Sequence, residues 1–238
     1  MLIREGVERD QAIDIRLACV LGCVAGAMNA AAFFAVGFFS ANMTGNLSSL
    51  SEKIASGEYA LASFFLSILM AFIFGSLCSS SLITAGRRKT RKIYAYALVL
   101  EASLIALVGG SDLWANRDWR VSIIVLGLAF AMGFQNAIST LISSARVRTT
   151  HVSGLITDIG IAASSFLMGK HELRGINASN LQLQLITVGS FLVGGVMGVL
   201  LYRVMGGYLQ LITALALLTL SLLTITNPDT PAHDRAKG

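Results

Sequence analysis

The chain has 238 residues, of which 55% are hydrophobic and only 13% are charged, and its formal net charge is +5. Soluble domains carry about 25% charged residues, so this deficit, with a mean hydropathy of +0.71, indicates that lipid is the main solvent. The positive charge does not indicate nucleic-acid binding, because no basic stripe with interleaved aromatic residues occurs. We expect one membrane domain over residues 1–238, with the lipid bilayer as its partner and no nucleic acid.

Six segments are apolar and long enough to cross a bilayer, which needs about 20 residues of helix. They are Leu17–Phe39, Ala60–Thr84, Ile93–Gly110, Arg120–Ile142, Leu185–Val204 and Tyr208–Thr226. Two shorter segments, 45–59 and 154–169, follow the first and fourth spans. If both crossed the bilayer, the basic loop at 87–92 would change sides. We therefore expect an all-α integral membrane fold of six transmembrane helices, with short broken or re-entrant helices after helices 1 and 4.

The lysines and arginines fall mainly on one side of these spans. Fourteen lie in the two termini and in the loops after the second and fourth spans, against four on the other side. Because cytoplasmic loops are enriched in Lys and Arg, the pattern predicts that both termini are cytoplasmic.

The two halves of the chain repeat one another. GAMNA at 26–30 returns as GFQNA at 133–137, SANMTGN at 40–46 as TTHVSGL at 149–155, and FIFGSLCS at 72–79 as FLVGGVMG at 191–198. Each copy has three spans, and an odd number of spans places the second copy upside down. The sequence predicts a 3+3 inverted repeat, with repeat one at about 15–112 and repeat two at about 118–226, an organisation that transporters use to build a central site.

The repeated breaks supply the first candidate binding residues. Thr44 and Ser153 are N-cap residue types for the two short helices, and glycine tolerates the turn there. Free N–H groups at such helix starts can hold an anion or a polar oxygen. The candidates are Thr44, Gly45, Asn46, Ser153 and Gly154. The alternative is that both breaks are only capped turns.

Polar side chains inside the spans supply the remaining candidates. The amides of Asn29, Gln135 and Asn136 are costly in hydrocarbon unless they are bonded, so they line a polar path or join helices 1 and 4. Glu101 and Asp158 are the candidate proton-coupling carboxylates. Their alternatives are a structural hydrogen bond for Glu101 and stabilisation of a helix N-terminus for Asp158.

Other motifs point to packing rather than chemistry. Gly75-x-x-x-Ser79 and Gly194-x-x-x-Gly198 are typical of close helix crossings. No catalytic motif and no metal-ligand spacing occurs, so we predict neither an enzyme nor a cofactor or metal site.

The segments GAMNAAAFFAVGFFSANMTGNLSSLS, AMGFQNA and THVSGLITDIG resemble the YoaK-like family, which are bacterial multi-pass membrane proteins gathered under a domain of unknown function. The resemblance implies a bacterial inner membrane location and implies no substrate.

Two functional hypotheses follow. The first is a small-solute or ion transporter or permease with its site between the repeats. The second is a scaffold that does not transport, assembles as a homo-oligomer through the small-residue faces of helices 2 and 5, and binds anionic lipid or a partner at 87–92.

Overall fold

The computed structural model describes residues 1–3, 5–6, 9–114, 116–167 and 174–226, but not the side chains of 117–118, 165–167 and 174–177. These residues form eight α-helices and no strands. The helices are α1 (Gln11–Val36), α2 (Met43–Ala55), α3 (Tyr59–Gly86), α4 (Ile93–Trp114), α5 (Arg117–Ile142), α6 (Val152–Leu167), α7 (Arg174–Met205) and α8 (Tyr208–Thr226). Of the basic residues used to predict orientation, Arg4, Lys170, Arg235 and Lys237 lie outside the described residues.

Six of these helices are long and apolar enough to cross a membrane, and α2 and α6 are the two short helices expected after helices 1 and 4. This confirms an all-helical, multi-pass membrane fold. The largest difference lies in α7, which begins eleven residues before the predicted Leu185. The amide side chains before Leu185 lower the hydropathy there, but they do not prevent helix formation.

One end of the bundle, which we call the basic end, gathers the N-terminal segment and the basic loop. Arg87 forms an ion pair with Glu5, and Arg146 Nη2 lies 2.7 Å from Asp14 Oδ2. Lys92 Nζ donates to the carbonyl of Ile225 near the end of α8, at 2.7 Å. The ends of α4 and α7 and the starts of α5 and α8 meet at the opposite end. The alternation of the six long helices therefore agrees with the predicted topology.

The closest helix pairs join the two halves of the chain. Helix α1 packs on α7, α3 packs on α5, and α4 packs on α8, while the short helices α2 and α6 pack on α3 and α7. Exchanging the halves, so that α1 replaces α5 and α3 replaces α7, leaves this set of pairs unchanged. The α4–α5 contact breaks the pattern, because α8 has no comparable contact with α1 in the described part of the chain.

Glycines set the distance of both crossings between the halves. A Cβ on Gly26 would collide with the carbonyl oxygen of Phe191, and a Cβ on Gly194 with that of Cys23. At the other crossing, Gly133 meets the carbonyl of Phe72, and Gly75 meets that of Phe130. Each glycine of one crossing corresponds to a glycine of the other in the sequence repeat. The small-residue motifs of α3 and α7 thus pack inside the protein, whereas the sequence had left packing within one protomer and packing between protomers both open.

The chain turns back into the bundle after α1. Helix α1 ends at Gly37, which has a left-handed φ of 80°, and Phe39 stacks on Phe33 at a centroid distance of 4.1 Å. The N–H of Ala41 then donates to Asn29 Oδ1 at 2.8 Å. Asn29 lies seven residues before the end of α1, or roughly 10 Å along the helix axis. The chain before α2 therefore returns to the level of Asn29, although Asn42 and Thr44 at the start of α2 are exposed.

Candidate functional site

Helix α2 starts at a different cap from the one that the sequence suggested. The N-cap is Asn42, whose Oδ1 accepts the N–H of Gly45 at 3.1 Å, and Thr44 is the second residue of the helix. The prediction of Thr44 as N-cap was wrong because an Asn side chain two residues earlier already satisfies that donor. Gly45 leaves room for this side chain, since a Cβ there would collide with it.

Helix α6 starts in an equivalent way. It begins at Val152, so Ser153 is its second residue and the predicted N-cap position is again two residues late. The carbonyl of His151 accepts the N–H of Leu155 at 3.2 Å, and the His151 ring lies where a Cβ on Gly154 would be. His151 and Asn42 therefore occupy corresponding positions in the two breaks.

Both helix starts open onto one cavity of about 600 Å³, which we call the central cavity. Its wall includes five of the predicted binding residues: Asn29, Thr44, Gly45, Asn136 and Ser153. Each half of the chain contributes residues to it. Phe72 and Phe191, whose carbonyls meet Gly133 and Gly26, also line it, so the cavity adjoins both glycine crossings.

The two asparagines of the central cavity differ in their bonds. Asn29 is 7% exposed and its Oδ1 is bonded to the N–H of Ala41. The side chain of Asn136 makes no hydrogen bond with any described residue, and its Oδ1 is shielded from solvent. A shielded amide oxygen without a donor is costly, so this cavity has an unused hydrogen-bond acceptor.

Two of the other predicted amides are bonded to the backbone instead. Gln135 Nε2 donates to the carbonyl of Leu21 at 2.7 Å and so joins α5 to α1, which is the interhelical role that the sequence allowed. Asn46 Nδ2 donates to the carbonyl of Phe39 at 3.0 Å and holds the returning chain against α2. Neither residue is among those that line the central cavity.

A second cavity of about 420 Å³, the basic-end cavity, lies beside the first. It is lined by Arg146, Arg148, Gly154 and Asp158, and His151 lines both cavities. Asp158 is in the second turn of α6 and exposed, so it faces this basic-end cavity rather than the central one.

Glu101 lies apart from both cavities, in the middle of α4. Its side chain is fully buried, and neither carboxylate oxygen has a hydrogen-bond partner among the described residues. The structural hydrogen bond that the sequence allowed as its alternative role is therefore not seen there.

Buried charges at the two ends of the bundle are paired. At the basic end, Asp14 lies between Arg9 and Arg146, at 2.6 and 2.7 Å. At the opposite end, Asp112 Oδ2 accepts the hydroxyl of Tyr202 at 2.6 Å, and Arg120 Nε donates to Oδ1 at 2.8 Å. The sequence did not predict these clusters, because Arg146 and Tyr202 are far along the chain from the carboxylates that they contact. Among the described residues, no group of His, Cys, Asp and Glu could hold a metal ion.

Comparisons with curated proteins and with solved structures found no match. A family model described as "Protein of unknown function (DUF1275)" matches residues 17–224, which include most of α1 and α8, all of the helices between them and both breaks. This agrees with the YoaK-like resemblance of the same segments. The chain therefore belongs to the DUF1275 family of proteins of unknown function.

Proposed function

We propose that this protein is a small-solute transporter or permease of the bacterial inner membrane, with both termini in the cytoplasm. The observation that carries the proposal is the central cavity, which both halves line and onto which two short helices open at their N-termini. A volume of about 600 Å³ lies within the range of small-molecule sites. Capped turns alone would not require such a cavity.

The exchange of helix pairs between the halves supports an inverted repeat around this site. Helix α1 starts at the basic end and α5 at the opposite end, so the corresponding helices run in opposite directions. The matched crossings at Gly26 with Gly194 and at Gly133 with Gly75 support the same relation. A site on the axis of an inverted repeat can be exposed to each side of the membrane in turn.

The inner-membrane location and the cytoplasmic termini rest on charge. The basic loop 87–92 lies at the same end as Arg9, Arg146 and the end of α8, and Lys and Arg favour the cytoplasmic side. The glycine faces that the scaffold hypothesis needs are occupied inside the protein by α1 and α5. A scaffold would have to assemble through other surfaces.

A thermal-shift screen of small metabolites and ions on detergent-purified protein tests the proposal. A solute that binds only the folded state at 100 times its Kd stabilises it by about 2.7 kcal/mol. We expect Asn136→Leu to abolish this thermal shift, because leucine is bulky and apolar and lacks the amide group that would bind the solute. This substitution breaks no protein hydrogen bond of that side chain, so the fold should survive.

Asn116→Leu is the matched control, since Asn116 is exposed and makes no side-chain capping bond. It should leave the shift intact, and hits should then be taken up by proteoliposomes. A shift that persists in Asn136→Leu would place the site elsewhere, and a stable protein without any hit would count against a solute site.

A further inference from the structure

The amide of Asn29 presents a free donor to the central cavity. Its Oδ1 accepts the N–H of Ala41 at 2.8 Å, so the amide nitrogen Nδ2 is available as a donor. No described residue accepts a hydrogen bond from Nδ2, although the residue is only 7% exposed and lines the cavity. Nδ2 is not sealed from solvent, so it can donate a hydrogen bond to a ligand oxygen in the cavity.

The two helix starts add backbone donors to the same space. Asn42 satisfies the N–H groups of Gly45 and Asn46 only, and His151 satisfies that of Leu155. The remaining first-turn N–H groups have no acceptor among the described residues, and those lining the cavity belong to Met43, Thr44, Val152 and Ser153. Free N–H groups and the partial positive charge at a helix N-terminus together favour an anion.

No carboxylate opposes these donors. Among the described residues that line the central cavity there is no Asp or Glu, and the one shielded side-chain acceptor without a partner is Asn136 Oδ1, which is uncharged. Among those residues His151 is the one titratable group, and it also faces the basic-end cavity, where Arg146 and Arg148 lie together with Asp158. The two arginines leave an excess of positive charge beside the central cavity.

Part of the wall is apolar. Phe72, Ile156 and Phe191 line the central cavity together with the donors. A strongly hydrated inorganic ion gains little from such surfaces, whereas a hydrocarbon group gains from leaving water. The wall suits a ligand with one anionic group and an apolar body.

We propose that the central cavity binds a small organic carboxylate, whose oxygens accept hydrogen bonds from Asn29 Nδ2 and from the N-terminal N–H groups of α2 and α6. The inference rests on the proposed function, because it names the class of solute that the site takes. Inorganic oxyanions such as phosphate share the donor chemistry, and the apolar wall favours the organic ligand.

Cysteine labelling measures the charge preference of the cavity without a known ligand. In a background with Cys19, Cys23 and Cys78 replaced by Ala, Ser48→Cys would be compared with Ser51→Cys. Both serines are exposed on α2 and donate to the carbonyl four residues earlier at 3.0 Å, but only Ser48 lines the cavity. Similarly sized anionic, cationic and neutral methanethiosulfonate reagents would be used.

We expect the ratio of anionic to cationic labelling rates to be about tenfold higher for Ser48→Cys than for Ser51→Cys. Adding Asn29→Asp should remove or reverse the preference. It keeps the acceptor for the Ala41 N–H, so the fold is retained, and it replaces the donor with a charged oxygen. Asn116→Asp adds the same charge outside the cavity and should leave the ratio unchanged.

Benzoate and benzamide, which have the same shape, provide a second arm, with phosphate as the inorganic probe. Benzoate should slow labelling by the neutral reagent at Ser48→Cys, and benzamide and phosphate should not. Equal protection by benzamide, or an unchanged rate ratio in Asn29→Asp, would show that the cavity does not select a carboxylate. The proposed solute site would remain. Protection by phosphate alone would overturn the proposal that the ligand is organic. Absence of labelling by every reagent would overturn the proposed function itself.

Discussion

The side chain of Asn29 holds the returning chain and faces the central cavity at the same time. Its position could be predicted from the repeat, because Asn29 and Asn136 match in GAMNA and GFQNA. Its bond to Ala41 could not be predicted, since this bond depends on the stacking of Phe39 on Phe33 and on the turn at Gly37. Asn42 and His151 were not predicted as the helix starts because Thr44 and Ser153 are common N-cap types. The structure instead caps α2 with the side chain of Asn42, and α6 begins directly after His151.

Among the candidate residues, Glu101 is the one whose role is best tested by a transport assay. Its buried carboxylate lacks a partner among the described residues, and a buried group of this kind is usually neutral or functional. If solute movement is coupled to protons through Glu101, Glu101→Gln should keep the fold and abolish solute-driven pH change in proteoliposomes. The glutamine has the same shape and cannot give up a proton.

Asp158→Asn is the companion variant, because Asp158 is the second candidate carboxylate and lies in the basic-end cavity. Loss of proton movement in Asp158→Asn alone would assign the coupling there. Unchanged proton movement in both variants would remove both residues from any coupling.

At the scale of helices, composition and periodicity predicted most of the fold. The span Tyr208–Thr226 was predicted at the bounds that the structure shows, and the others differ at their ends. Helix ends outside the bilayer core depend on capping and polar contacts, such as Asp10 Oδ1 accepting the N–H of Ile13 at 2.8 Å. Hydropathy contains little information about such contacts.

The glycine crossings give a prediction about pairs of helices. Gly194→Ala should destabilise the protein by about 1–3 kcal/mol, because its Cβ would overlap the backbone of Cys23 on α1. Gly189→Ala, on the same helix with nothing within 4 Å of a Cβ, should be neutral or slightly stabilising. Thermal unfolding in detergent measures the difference.

The equivalent substitution at the other crossing, Gly75→Ala, should cost about as much as Gly194→Ala, since it meets the carbonyl of Phe130 in the corresponding way. A melting temperature for Gly194→Ala equal to that of Gly189→Ala would show that this crossing is not close in solution.

At the scale of the whole molecule, the sequence predicted the side on which the cations lie but not the contacts that hold them. The ion pair of Arg87 with Glu5 and the bond from Lys92 to Ile225 gather separate segments at the basic end. The repeat predicted that the two halves correspond. It did not predict that the most extensive helix contacts would join one half to the other. Short sequence matches do not specify which helix packs on which.

Orientation can be tested with two cysteines in the same cysteine-free background. Ser56→Cys lies in the turn between α2 and α3, at the opposite end, and should react with a membrane-impermeant maleimide on intact spheroplasts. Thr90→Cys, in the basic loop, should react only after permeabilisation. The reverse pattern would invert the orientation, and reaction of both in intact spheroplasts would contradict six crossings.

The pairing of α1 with α7 has a consequence for biosynthesis. The glycine-containing face of α1 is synthesised well before the surface that covers it, because Gly194 on α7 follows Gly26 by 168 residues. Until then, we expect lipid or the insertion machinery to take the place of α7. Helix α5 follows α3 much sooner along the chain. Of the pairs that join the two halves, we therefore expect α3–α5 to form first during translation and α7 to complete the wall of the cavity.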